Sequence, residues 1–306
     1  MGLSEKTKAW LKDNCRVSLR GKTALITGAD SGVGFQTAEI LLQLDACVVL
    51  VCRNMEKAAS AQEKLQRDHP GASVSVMKLD LADFRSVEAF SDELRAKGMD
   101  VDFLVNNAGV FHQPGRKTAD GFELVMGTNY IGTFYLTERI LPYLECLPHE
   151  VVVINTVSIV CRIAGIPDFR KFYDGGNLAV YARSKLCLAI YTRELARRTR
   201  KTRLRILMSH PGITMTPLGM NAYGKTVSRL AGRFRGVFNS PEKSALSAAY
   251  ILSHEVPPGA LVGPDRFFGG WGFPRENRIP RRADRNAEEL IRFTEKEIAR
   301  AGGKIP

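Results

Sequence analysis

From Lys22 onward the chain alternates short runs of Val, Ile and Leu with amphipathic stretches of helical period: TALITG then VGFQTAEILLQL, ACVVLVC then MEKAASAQEKLQ, SVSVMKLD then FRSVEAFSDELRAK. Such a repeat predicts parallel strands joined by right-handed helical crossovers. DFLVNNAG, EVVVINTVS and LRILMSHPG continue the strand series. Because the runs are nearly continuous in apolar residues, helices must cover both faces of the sheet. The expected fold is α/β and doubly wound, a mainly parallel seven-stranded sheet with helices on both faces. A length of 306 residues without internal repeats fits one domain over 1–306. Long helices are expected over Gly121–Leu144 and Leu178–Arg200, a short amphipathic helix in an N-terminal extension over 1–20, and a C-terminal helix and tail over 276–306.

Two irregular segments, Cys161–Asn177 and residues 216–240, follow strand carboxyl ends, where sheets of this kind bind ligands. They suit a substrate loop or lid. Ile163, Ile166, Phe169, Phe172, Leu218, Met220, Leu230 and Phe234 make them apolar. That favours a lipid-like compound over a sugar, unless these side chains only pack the lid.

The formal net charge is +12. The basic residues of Arg193–Arg205 and Arg275–Arg300 are interleaved with Glu194, Glu276, Asp284 and Glu288 rather than with aromatics, a pattern of solvated faces or of a surface that meets a membrane or an anion, not of nucleic-acid binding. The six cysteines show no CxxC spacing and the five histidines no HExxH, so neither disulfides nor a metal site are expected. The first twenty residues hold no long apolar run, which predicts neither a secretory signal nor a membrane span. A cytoplasmic location follows as the expectation, with peripheral membrane contact left open.

Thr27-Gly28-Ala29-Asp30-Ser31-Gly32-Val33-Gly34 closes the first strand and opens the first crossover helix. Its glycines allow a tight turn and close approach, and the helix N-terminal amides of Ser31, Gly32, Val33 and Gly34 suit a pyrophosphate. NAD-binding sheets of this design often end the second strand on an acid, which holds the ribose 2′-hydroxyl. Here Cys52-Arg53-Asn54 stands instead, and a neutral residue followed by a guanidinium suits the 2′-phosphate of NADP(H). Asp80 and Leu81, after the third strand, are placed for the adenine edge, although Asp80 could equally cap the next helix. Together these residues predict a Rossmann-type sheet.

Tyr181 and Lys185 lie four apart in a helical stretch, hence on one face. A neighbouring ammonium stabilises a phenolate, which makes Tyr181 a usable general acid/base. Ser158 stands just past the fifth strand and Asn129 within GTNYIG. Asn107-Ala108-Gly109 ends the fourth strand and Pro211-Gly212-Ile213 the sixth, with Thr216 beyond it. All fall on the sheet edge that carries the glycine turn.

The combination TGADSGVG, NNAG, Asn129, Ser158, YARSK and HPG resembles the short-chain dehydrogenase/reductase superfamily over about Gly21–Ile298. VCRN, TNYIGTFYLT, SKLCLAIYTRELARR and DRNAEELIRFTEKEI are similar to its retinol-dehydrogenase-like group. Val157 departs from the family's pair of adjacent serines, and Ser158 keeps the second, catalytic place. From the opening residues no counterpart of the N-terminal membrane anchor of many vertebrate members is expected. The resemblance implies an NADP(H)-dependent oxidoreductase interconverting a hydrophobic aldehyde or ketone and its alcohol, and a homodimer or homotetramer built on the two long helices. By the same resemblance Tyr181 protonates the carbonyl oxygen, Ser158 orients it, Lys185 binds the nicotinamide ribose and lowers the Tyr181 pKa, and Asn129 holds a water for proton return. The alternative is a non-catalytic NADP(H)-binding regulator of the same fold.

Overall fold

The computed structural model describes residues 3–111, 113–165, 167–214 and 239–306. Ile166, Thr216, Leu218, Met220, Leu230 and Phe234, and most of the 216–240 segment, lie outside the described residues.

The alternating runs form strands β1 (Thr23–Thr27), β2 (Cys47–Cys52), β3 (Val74–Lys78), β4 (Phe103–Asn106), β5 (Val151–Thr156), β6 (Leu204–Ser209), β7 (Leu261–Arg266) and β8 (Trp271–Asn277). Among the described residues the sheet has eight strands in the order β3-β2-β1-β4-β5-β6-β7-β8, not the seven expected. The first seven are parallel, and β8 returns antiparallel along β7 with Leu261 opposite Asn277. Its sequence, WGFPREN, lacks a period-2 apolar pattern and contains Pro274, which an edge strand tolerates because its outer amides need no partner.

The helices are α1 (Glu5–Asn14), α2 (Gly32–Gln43), α3 (Met55–Asp68), α4 (Phe84–Ala96), α5 (Thr133–Cys146), α6 (Asn177–Arg198), α7 (Pro241–Ser253) and α8 (Ala287–Arg300). Alternate strand residues feed two apolar cores. Leu25, Val49, Val51, Leu104 and Val153 face one layer, packed with side chains of α4, α5, α6 and α8. Ala24, Ile26, Leu50, Val105 and Ile154 face the other, with α1, α2, α3 and α7. The winding direction changes between β1 and β4, which opens a crevice at their carboxyl ends.

The helix expected over Gly121–Leu144 is interrupted. A turn at Leu124–Met126 passes into a π-helical stretch, Gly127–Gly132, before α5. At Gly132 a Cβ would overlap the carbonyl oxygen of Leu81, and at Gly127 it would overlap Thr118. Glycine lets this stretch lie against its neighbours while the wide turn directs Asn129 inward; π-turns of this kind are frequent at functional sites.

Both ends of the described chain are tied down. Trp10 of α1 stacks on Phe273 with centroids 5.8 Å apart, and the Ser4 amide donates to Glu242 Oε1 at 2.6 Å. On the opposite layer, Phe293 of α8 packs 4.8 Å from the rings of both Phe169 and Phe172, Thr294 meets the Tyr130 hydroxyl at 2.8 Å, and Arg282 donates to the Ala164 carbonyl at 2.6 Å. The 278–300 segment thus holds the β5–α6 connection, Val157–Gly176, in place. Among the described residues no helix is long and apolar enough to cross a membrane.

Candidate active site

Thr27, the last residue of β1, organises the first half of the site. Its Oγ1 accepts the amides of Asn107 and Ala108, both at 3.0 Å, and the Asn107 amide group returns a bond to the Thr27 carbonyl at 2.9 Å. The ends of β1 and β4 are thereby locked together. Gly28 has φ +65 and approaches so closely that a Cβ would stand 3.0 Å from Ala108 Cα. At Gly34 a Cβ would overlap the Gly28 carbonyl and the Asn107 amide. Gly34 therefore lets α2 begin directly behind the turn, with the backbone of Ser31, Gly32 and Val33 facing a cavity of about 500 Å³.

Arg53 and Asn54 line this cavity where α3 begins, and Asp80 and Leu81 line it after β3. Arg53 is 62% exposed, with Nε 4.0 Å from Asp80 Oδ2. Asn54 caps α3 by accepting the Lys57 amide at 2.9 Å. Asp80 is not the cap of α4, which is Asp83; it accepts the Ala82 amide at 2.9 Å and closes the turn after β3. Lys57, in the first turn of α3, also lines the cavity. Sequence reasoning passed it over, although its spacing from Arg53 was a usable signal.

The second half is built from β5 and α6. Asn106 donates to Asn155 Oδ1 at 2.8 Å and Asn155 to Thr192 Oγ1 at 2.9 Å, a buried chain joining β4, β5 and α6 below the cavity. Ser158, 7% exposed, follows β5. Tyr181 and Lys185 face it from α6, and all three line the cavity with Gly109. Lys185 Nζ donates to the Thr156 carbonyl at 2.8 Å. Its burial pushes the ammonium down to about 8, an effect only partly countered by Cys161. The Tyr181 ring stands edge-on to Phe111 at 4.9 Å. Phe111 was not singled out from the sequence, since nothing local marks a residue two beyond NNAG.

Asn129 does not line the cavity; it is fully buried behind it. Its Oδ1 accepts the Val110 amide at 2.7 Å, and its Nδ2 donates to the Val110 carbonyl at 2.9 Å and to Ser184 Oγ at 3.2 Å. A Cβ on Gly109 would come 3.2 Å from Asn129 Oδ1 and 3.5 Å from Lys185 Nζ, so this glycine is the thin wall between the two. Pro211, Gly212 and Ile213 complete the rim. Gly212 has φ +74, and the Ile213 amide donates to the Gly270 carbonyl at 2.7 Å. The preceding His210 is buried, which pushes its imidazole down to about 3 and keeps it neutral. Of the expected site residues only Thr216 lies outside the described ones.

The donor set fits a nicotinamide dinucleotide. The cavity joins helix N-terminal amides at one end to a buried ammonium and a phenol at the other, and Thr128 Oγ1 is buried at its wall with no hydrogen-bond partner among the described residues. Comparison with known proteins agrees. The family model described as short chain dehydrogenase matches residues 22–226. Retinol dehydrogenase 14 of Mus musculus is 34% identical over 286 residues, covering 89% of this chain and 84% of its own length. Among solved structures, an uncharacterized protein from Mycobacterium paratuberculosis superposes with a TM-score of 0.75 at 29% identity, over 95% of this chain and 97% of its own. The 3-ketoacyl-(acyl-carrier-protein) reductase of Brucella melitensis, complexed with NADH, gives 0.62 at 26% identity, over 80% and 96%. The chain belongs to the short-chain dehydrogenase/reductase superfamily, in its retinol-dehydrogenase-like group, and is an oxidoreductase of the alcohol–carbonyl couple that uses a nicotinamide dinucleotide.

Proposed function

We propose that this protein is an NADP(H)-dependent reductase of hydrophobic aldehydes or ketones, reversible as an alcohol dehydrogenase, acting in the cytoplasm as a single domain. The observation that carries the reading is the convergence of Ser158, Tyr181 and Lys185 on one cavity with the glycine turn. When bound, the nicotinamide supplies or accepts the hydride. Tyr181 gives the proton to the substrate oxygen in reduction and removes it in oxidation. Ser158 donates a hydrogen bond to the same oxygen, where negative charge develops, and so aids the chemical step more than binding. Lys185 holds the ribose and, through its charge, eases ionisation of Tyr181.

Asn129 is a positioning residue in this reading. Both Nδ2 hydrogens are engaged on Val110 and Ser184, so its side chain fixes the wall beside Lys185, and a water held there would have to donate to an Asn129 oxygen. NADP(H) is favoured over NAD(H) because Arg53 and Lys57 bring cationic side chains to the start of α3 with no acid ending β2. The apolar rim of Phe111, Ile159, Val160 and Leu178 favours a hydrophobic substrate.

The test is a screen of purified protein against hydrophobic aldehydes and ketones, following loss of NADPH absorbance, with Tyr181→Phe in parallel. Turnover by wild type and its near-complete loss in Tyr181→Phe, with NADPH binding kept, are expected. NADPH binding without turnover of any carbonyl would support the regulator instead, and a Tyr181→Phe rate close to wild type would remove Tyr181 as the acid.

A further inference from the structure

Among the described residues four large apolar side chains stand exposed: Ile163 at 68%, Phe267 at 64%, Leu178 at 51% and Met55 at 37%. Exposed apolar residues scattered singly need no explanation. These share one end of the molecule. Met55 follows β2, Ile163 lies between β5 and α6, Leu178 is on the first turn of α6, and Phe267 follows β7. That end is the carboxyl edge of the sheet, into which the cavity opens.

The β7–β8 hairpin extends this edge. β7 begins where β6 ends, with Leu261 opposite Met208 and Val262 opposite Ser209, so the hairpin overhangs the rest of the sheet. At its tip Phe267 has φ +47, a left-handed conformation that a bulky L-residue adopts only when the surroundings impose it. The Phe267 ring stacks on Trp271 with centroids 4.8 Å apart, which places two aromatic rings together at the apex.

Charge accompanies them. Residues 261–282 carry Arg266, Arg275, Arg278, Arg281 and Arg282 against Asp265 and Glu276, and Asp265 is turned inward to accept the Phe273 amide at 3.0 Å. Arg162 donates to the Arg278 carbonyl at 3.3 Å and Arg282 to the Ala164 carbonyl at 2.6 Å, so this arginine-rich segment lies beside the loop that exposes Ile163. An exposed aromatic ring stacked on a half-buried one, within a cationic border, matches the headgroup region of an anionic membrane.

We propose that this rim docks on an anionic lipid bilayer, with Phe267, Trp271 and Ile163 entering the boundary between headgroups and acyl chains and the arginines meeting the anionic headgroups. The cavity mouth then faces the membrane. Delivery of a hydrophobic substrate from the bilayer rests on the reductase reading above; the docking does not.

The experiment is cosedimentation of the full chain with phosphatidylcholine vesicles and with vesicles containing phosphatidylserine, at low and high salt, for wild type, Phe267→Ser and the double variant Arg278→Glu/Arg281→Glu. Thermal stabilisation by NADPH in each variant checks that the fold and cofactor site are intact. Wild type is expected to sediment with the phosphatidylserine vesicles only, and to be released by salt. Each arginine near such a surface contributes about fivefold in partitioning, so the double charge reversal should lower it by at least about 25-fold, and Phe267→Ser severalfold with its salt dependence kept. Wild type that stays in the supernatant with anionic vesicles overturns the proposal, as does sedimentation that neither variant reduces, which would move the contact to another basic face. Self-association without vesicles that Phe267→Ser abolishes would assign the rim to a second copy and also overturn it. Docking without carbonyl turnover would leave the proposal standing and sink the reductase reading alone.

Discussion

Lys185 Nζ donates to the Thr156 carbonyl at 2.8 Å from a position only 4% exposed. A buried ammonium costs stability. With its pKa pushed from 10.5 down to about 8, the unfolded chain binds more protons than the native one between those values, so stability rises with pH across that window. Below it the native protein bears the full penalty, about 3 kcal/mol. Part of this is offset by the Thr156 bond. Lys185→Met should therefore melt a few degrees higher than wild type at neutral pH without cofactor, and lose that advantage toward pH 10.5. Its stabilisation by NADPH should shrink. Melting curves at several pH values check this, and a lower Tm at neutral pH would refute it.

Arg53 stands 4.0 Å from Asp80 and mostly in solvent, poised for an anion rather than spent on a buried pair. A hydrogen bond to a charged group contributes roughly 1.5 to 3 kcal/mol, so Arg53→Ala should lower kcat/KM with NADPH by about 10- to 150-fold. The value with NADH should change little, and added salt should narrow the wild-type preference. Equal losses with both cofactors would give Arg53 a structural role.

Thr294 and Tyr130 share a buried hydrogen bond of 2.8 Å between α8 and the π-helical stretch. Thr294→Val keeps the shape and strands the Tyr130 hydroxyl, which should cost about 1 to 3 kcal/mol. Thr294→Ser should recover most of it. Denaturant melts of both variants decide the matter; equal losses would mean that the methyl group, not the hydroxyl, is what counts.

His149 lies at the opposite edge of the sheet, 2.5 Å from Asp100 and 3.6 Å from Asp102. The Asp100 bond, above all, raises its pKa. A raised folded pKa contributes stability that is complete below the unfolded value near 6.5 and is lost as pH rises through the folded value. His149→Gln should thus lose more stability at pH 5.5 than at pH 8.5. Asp100 is 70% exposed, so the difference should be about 1 kcal/mol or less. An equal loss at both pH values would exclude the ion pair.

What the sequence disclosed was what chemistry writes locally. Glycines that must take a tight turn marked one end of the cavity, and a Tyr and Lys one helical turn apart marked the other. Asn107 was legible as a site residue, but not that its amide locks β4 to Thr27, because a hydrogen bond across eighty residues leaves no periodic trace. Asn129 drew notice as an amide in an apolar stretch; that its partner is the backbone of Val110 depends on a π-turn, and the glycines that permit it read equally well as plain helix positions. β8 escaped because its alternation is broken by Pro274 and by charged residues that an edge strand can point outward. The hold of α8 on the β5–α6 connection was hidden for the same reason as the Thr27 lock: Phe293 and Thr294 read as one amphipathic face, with no sign of what they would meet.

That hold has a consequence for the order in which the protein acquires its shape. Ala164 and Arg282 are 118 residues apart, and Tyr130 and Thr294 are 164 apart. On the ribosome the glycine turn, β4 and even Tyr181 emerge long before α8 exists, and contacts of such span form late because the loop between them must close first. The nascent chain can therefore assemble its nucleotide half while the segment beside Ser158 still lacks the helix that holds it, and the site becomes whole only when α8 arrives.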